Sequence, residues 1–211
     1  MRLVTEEEII QIKADLLAAK SAKRRSAAKK IAKYQIVSLG NDLLEAYLRE
    51  RNDARTWETQ TAMIHAFGKI GCKTALPFLK EIVDANKDSD TITCYAALSY
   101  IRLTRTCAND MDMIIQFLSR GNTMLFDGAA MALAYDDVLP SEQEMKTVLK
   151  ILDERKEIYE RPCSNPIPFL ISAMYRWSPE LALPFLEQYK NDPRFAHIVE
   201  KTLAGKRHCR E

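Results

Sequence analysis

Apolar positions recur at spacings of three and four along most of the chain, and strand-like alternation is nowhere sustained. Ile9, Ile12, Leu16 and Ala19 form one stripe; Met145, Val148, Leu149 and Leu152 form another. Each follows a capping box, Thr5 with Glu8 and Ser141 with Glu144, in which side chain and backbone satisfy each other's free N–H groups. Asn165-Pro166, Ser178-Pro179 and Asp192-Pro193 each set a capping side chain before a proline suited to the first helical position. Gly40, Gly71 and Gly121 stand where helices are expected to stop. The pattern predicts an all-α chain of about a dozen helices, each roughly 10–17 residues long, including Thr5–Ala19 and Ser21–Tyr34.

The chain also resembles itself. Ala75-Leu76-Pro77-Phe78-Leu79 returns as Ala182-Leu183-Pro184-Phe185-Leu186, with weaker copies at Ile114–Leu118 and Val148–Leu152. With Leu48 added, the closing leucines lie 31, 39, 34 and 34 residues apart, the period of a two-helix repeat. Between these segments, Ala62, Ala66 and Phe67 align with Tyr95, Ser99 and Tyr100, then with Gly128, Ala132 and Leu133, then with Phe169, Ala173 and Met174. A small residue beside a large one suits hairpins that stack closely.

The stretch Thr56–Val83, with Ala62, Ala66, Phe67, Ile70 and Gly71 leading into the first pentapeptide, resembles the short HEAT repeats of the phycobilisome-lyase type. The resemblance spans roughly residues 40–205. It implies a right-handed α-solenoid of stacked helical hairpins, HEAT-like or ARM-like. Residues 1–39 would then be N-terminal capping helices, 40–205 the repeats and 206–211 a basic tail expected to be disordered. The period is shorter than the ~40–47 residues of long HEAT repeats, and Asp136 falls where an apolar residue is expected.

Stacked hairpins usually line a concave surface with their second helices, and the alignment sorts that surface into four columns. They are Glu58, Thr91, Met124 and Asn165; Thr61, Cys94, Asp127 and Pro168; His65, Leu98, Met131 and Ser172; and Lys69, Arg102, Tyr135 and Arg176. We take Glu58, Thr61, His65, Lys69, Arg102, Asp127, Met131, Tyr135 and Arg176 as candidate partner-binding residues, Arg and Tyr being common at binding hot spots. The alternative reading is a solvated groove edge.

Charge is divided along the chain. Residues 1–55 carry 12 Lys/Arg against 8 Asp/Glu, residues 56–160 carry 11 against 16, and residues 161–211 carry 8 against 5. The segment 20–33 holds seven cations and no anion, among them Lys23, Arg24, Arg25, Lys29, Lys30 and Lys33. It suits phosphates or an acidic protein surface; the plainer alternative is a solvated amphipathic helix. Asp88, Asp90, Asp136 and Asp137 fall in expected loops, where aspartate commonly caps helices. Acidic loops on one edge would equally receive a basic partner such as a toxin domain.

Chemistry is sparse. There is no glycine-rich phosphate loop, G-x-S-x-G or H-E-x-x-H, and His65, His197 and His208 stand apart, so neither catalysis, a metal site nor a cofactor is expected. HEAT-like folds include glycosylases for alkylated bases, but the paired tryptophans of that family are missing, Trp57 and Trp177 standing alone. Five scattered cysteines without C-x-x-C suit reduced thiols in the cytoplasm. No apolar signal region follows the start, and no run reaches the ~20 apolar residues of a membrane span. The expected function is therefore non-catalytic protein binding, most concretely by an immunity protein that neutralises a cognate toxin. A nucleic-acid binder related to alkylation repair, and a general adaptor or assembly chaperone, are the alternatives.

Overall fold

A computed structural model describes residues 4–120, 123–161 and 165–209. Among them there are thirteen α-helices, four short 3-10 turns and no strand. No described helix is long and apolar enough to cross a membrane. The chain divides into two compact units, Met1–Thr104 and Arg105–Glu211.

The first unit holds α1 (Glu6–Leu16), α2 (Ser21–Tyr34), α3 (Gly40–Glu50), α4 (Trp57–Ile70), α5 (Leu76–Ala85) and α6 (Thr91–Thr104). Helices α2, α4 and α6 pack side by side in that order, while α1 packs on α2, α3 on α4 and α5 on α6. These helices have 10 to 14 residues, and isolated helices shorter than about 12–15 residues are marginal in water, so burial of one face holds them. Helix α2 buries Ala27, Ala28, Ile31 and Ala32, and α4 buries Ala62, Met63, Ile64, Ala66, Phe67 and Ile70. Tyr47 of α3 meets the Phe67 ring edge-on with centroids 5.6 Å apart.

The tightest approach is between α4 and α6. Ser99 Oγ donates to the Ile64 carbonyl at 2.8 Å, and a Cβ added to Gly68 would stand 2.9 Å from the Ser99 Cα. Gly68 is thus the position where the missing side chain is needed, and Ser99 is the small residue it admits.

The second unit holds α7 (Asp112–Ser119), α8 (Thr123–Tyr135), α9 (Glu142–Glu154), α10 (Lys156–Tyr159), α11 (Ile167–Ala173), α12 (Pro179–Glu187) and α13 (Ala196–Leu203). Its centre is α8, where every residue from Met124 to Ala134 is buried and α7, α10 and α11 pack against it. A helix apolar all round belongs inside. Phe126 stacks on Tyr159 at 5.8 Å, and a further aromatic series runs Phe185, Tyr189 and Phe195. Burial pushes the Tyr159 phenol up to about 12.

Both capping boxes form, and α2 spans the residues its pattern predicts. Gly71 ends α4 in the left-handed region at φ 70. Several expectations need correction. Gly40 opens α3 at φ −58 instead of closing α2, which ends on Gln35 in the left-handed region. Asp192-Pro193 makes a turn, and α13 starts at Ala196. Helix lengths run from 4 to 14 residues. The two matching pentapeptides sit differently: Pro77 lies in the first turn of α5, where no N–H partner is needed, whereas Pro184 lies inside α12. Leu48 is 40% exposed while Leu79, Leu118, Leu152 and Leu186 are buried, so Tyr47 takes the inward position in α3. Gly121 lies outside the described residues.

Candidate partner-binding face

The helices of the first unit are sorted by charge. Helices α2, α4 and α6 together carry eight Lys or Arg and one Glu, whereas α1, α3 and α5 carry three Lys or Arg and nine Asp or Glu. The sequence presents this charge as a divided chain; folding interleaves it into a cationic layer and an acidic one.

Not all of these cations are available. Arg24 turns inward, pairs with the buried Glu50 and donates to the carbonyls of Ala18 and Ala19 at 2.6 and 2.8 Å, closing the turn between α1 and α2. Arg25 pairs with Glu58 across to α4. Lys23, Lys29, Lys30 and Lys33 are exposed, and Lys33 lies 5.3 Å from the centre of the Tyr34 ring.

Arg25, Lys29, Trp57, Glu58, Thr61, Ala62, His65, Thr91 and Tyr95 line a groove of about 250 Å³ on the α2, α4 and α6 face. The fold thus brings four of the predicted column residues, Glu58, Thr61, His65 and Thr91, against two of the basic-helix residues. Trp57 is 47% exposed there, and His65 meets the Tyr95 ring edge-on at 5.9 Å. Thr61 Oγ1 donates to the Trp57 carbonyl at 2.8 Å, fixing the first turn beneath the indole. Trp57 and Tyr95 were not among the candidates. Trp57 opens a helix directly after the loop cap Asp53, and a large aromatic at an otherwise polar first turn is the signal that could have found it. Lys69 and Arg102 are half-buried on α4 and α6, farther along the same layer.

A larger depression of about 520 Å³ lies beside Trp57, bounded by Tyr47, Arg51, Gln60, Glu81 and Lys87. Two of its charges engage each other. Arg51 donates to Glu81 at 2.6 Å and its guanidinium covers Phe78, and Gln60 donates to the Asp53 carbonyl at 2.8 Å. Volume alone therefore does not select it.

The predicted columns turn inward at Cys94 and Leu98 on α6, and at Met124, Asp127, Met131 and Ser172 in the second unit. Asp127 is buried and pairs with Arg161 at 2.7 Å, and Met131 is buried. They are core residues of α8, not an open face. Tyr135 is half-buried against Phe169 with ring centres 5.3 Å apart. Arg176 is exposed and pairs with Asp137 at 3.2 Å.

The aspartates are similarly occupied. Asp90 accepts from the N–H groups of Ile92 and Thr93 and from Thr93 Oγ1, which makes it the cap of α6. Asp136 pairs with Arg105 at 2.8 Å, both largely shielded from water, so the apolar position it replaces is filled by an ion pair. Asp137 accepts from the Tyr175 hydroxyl as well as from Arg176, and burial with that bond raises the Tyr175 phenol. Asp88 is exposed in the loop before α6.

Among the described residues no group of three His, Cys, Asp or Glu could hold a metal ion, and Cys72, Cys94, Cys107 and Cys209 are free thiols. Cys163 lies outside the described residues. Comparison with models of known protein families and with curated proteins gives no match.

Proposed function

We propose that the protein is a non-catalytic binding module, and that the α2, α4 and α6 face of its first unit receives an acidic surface of a protein partner. The observation that carries this reading is the charge sorting of that unit: α2, α4 and α6 hold eight cations to one anion, and Lys23, Lys29, Lys30 and Lys33 of α2 are exposed. Fixed charge of one sign speeds encounter with an opposite surface and suppresses wrong partners. An exposed indole beside those cations supplies the kind of anchor that concentrates binding energy. The side-by-side packing of α2, α4 and α6 supports the HEAT-like reading of stacked hairpins.

This turns the expected polarity round. An inhibitor that masks a cationic toxin needs free acidic loops, and Asp90, Asp136 and Asp137 are engaged within the chain. An immunity protein remains a form of this proposal if the toxin presents an acidic patch to the cationic face. Nucleic acid is the second reading, favoured by Trp57 and Lys29 in one groove, since bases stack on aromatic rings beside cations.

The test is affinity purification of the chain from its native cell, alongside Lys29→Glu/Lys33→Glu and Glu45→Lys/Asp84→Lys. A stoichiometric protein lost only with the first pair, and weakened by salt, is expected. Recovery of nucleic acid without protein, or loss only with the second pair, overturns the proposal.

A further inference from the structure

The segment after α13 does not hang free. Ser172 Oγ on α11 accepts the N–H groups of His208 and Cys209 at 3.1 and 2.8 Å, the Cys209 thiol reaches the Pro168 carbonyl at 3.6 Å, and Arg207 donates to the Tyr135 carbonyl at the end of α8. Pro168, Ser172 and Tyr135 belong to the columns that the sequence assigns to partner binding. In the second unit that strip already has an occupant. Residues 207–209 lie on it outside any helix, held by the Ser172 hydroxyl and the Pro168 and Tyr135 carbonyls.

We propose that this strip of α8 and α11 is a docking surface for the chain's own segment 207–209, and that His208 is an acid-released latch on it. The imidazole Nδ1 stands 3.3 Å from Lys201 Nζ, and its ring centre lies 5.2 Å from that of His197, both on α13. A neutral His208 accepts from the Lys201 ammonium; a protonated one faces that ammonium and the His197 ring at once. Helix α11 carries no ionisable group to offset this, and Asp127, the one carboxylate of α8, is paired with Arg161. Glu200, beside Lys201 on α13, is exposed to water. Burial first, then Lys201 and His197, hold the docked His208 below its ordinary value.

The sign follows. A group whose proton affinity falls on docking favours docking at high pH. The segment stays docked above the free imidazole value of roughly 6.5 and loosens as pH falls below it, by up to about tenfold per pH unit until the lowered docked value is reached. Acid would uncover Pro168, Ser172 and the Tyr135 carbonyl for another segment.

The test uses the full chain with its other four cysteines replaced by serine, and follows the rate at which 4,4′-dithiodipyridine labels Cys209 between pH 8 and 5, corrected by a free peptide of residues 204–211. Folding at each pH is checked by circular dichroism. Relative to the peptide, protection of at least tenfold at pH 8 that falls steeply below about pH 6.5 is expected. His208→Gln should keep the protection and flatten the pH profile, and Ser172→Ala should lose protection at every pH. Labelling at the peptide's rate at pH 8 would overturn the docking. A profile unchanged by His208→Gln would overturn the latch.

Discussion

The two units start from the same sequence pattern and make different use of it. In each, a small-next-to-large motif recurs in the second helix of a hairpin: Ala66-Phe67 in α4 and Ala132-Leu133 in α8, all four buried. On α4 the outward positions are Glu58, Thr61, His65 and Lys69, and the helix shows Trp57, Thr61 and His65 to water. The matching positions of α8 include Met124, Asp127 and Met131, and the helix is swallowed. In the second unit the strip beside it is covered by the chain's own residues 207–209. A shared packing motif sets where helices touch; the charge on the remaining positions decides whether the opposite side is a surface.

That contrast is open to breakage. The largest effect is expected at Asp127→Ala. Removing this buried carboxylate leaves the half-buried Arg161 without its partner, and chemical denaturation should show a loss of about 3 kcal/mol, the low end for breaking a buried pair. A partner-binding surface residue would give a change within about 0.5 kcal/mol. Arg24→Ala sharpens the same point inside the cationic helix, since it orphans Glu50, which is 4% exposed, and two helix-end carbonyls. It should cost several-fold more stability than Lys23→Ala, as measured by the shift in thermal midpoint.

Next comes Gly68→Ala, whose Cβ meets the Ser99 backbone; a loss of about 1–3 kcal/mol is expected, not relieved by Ser99→Ala because the Cα remains in the way. The smallest effect concerns Asp110. Its carboxylate accepts from the Thr106 N–H at 2.9 Å, from the Thr106 hydroxyl at 2.8 Å and from the Asp112 N–H at 3.1 Å, which hold it below the usual value. A depressed carboxylate adds stability above its unfolded value of about 3.9 that is lost as pH falls through the folded one. The thermal midpoint of Asp110→Ala should trail the parent at pH 6 and converge with it near pH 2.

The helical fold was legible because caps and periodicity are local. Thr5, Ser141, Gly71 and the span of α2 needed no knowledge of the partner helices. Leu48 and Tyr47 show where this stops: adjacent apolar residues on one helix compete for the inward position, and only the neighbour, Phe67, decides. The candidate site was half legible. That Glu58, Thr61 and His65 share one side of a helix was legible from their spacing; that Lys29 of α2 lines the same groove was not. Arg24 and Asp127 were misjudged for a common reason, since a charge in a sequence does not announce its buried counter-charge 26 or 34 residues away. The tail was expected to be loose because it is basic; two N–H groups shared by one serine hydroxyl hold it.

The central claim is that the cationic layer of the first unit is where the partner sits, and site-specific photo-crosslinking in the native cell tests it most directly. A crosslinking residue is placed in turn at Lys29, Thr61 and Tyr95 in the groove, at Glu45 and Asp84 on the acidic layer, and at Arg176 in the second unit. The account predicts one protein adduct from the three groove positions and none from the other three. Adducts confined to the acidic layer or to Arg176, or groove adducts to nucleic acid alone, would contradict it.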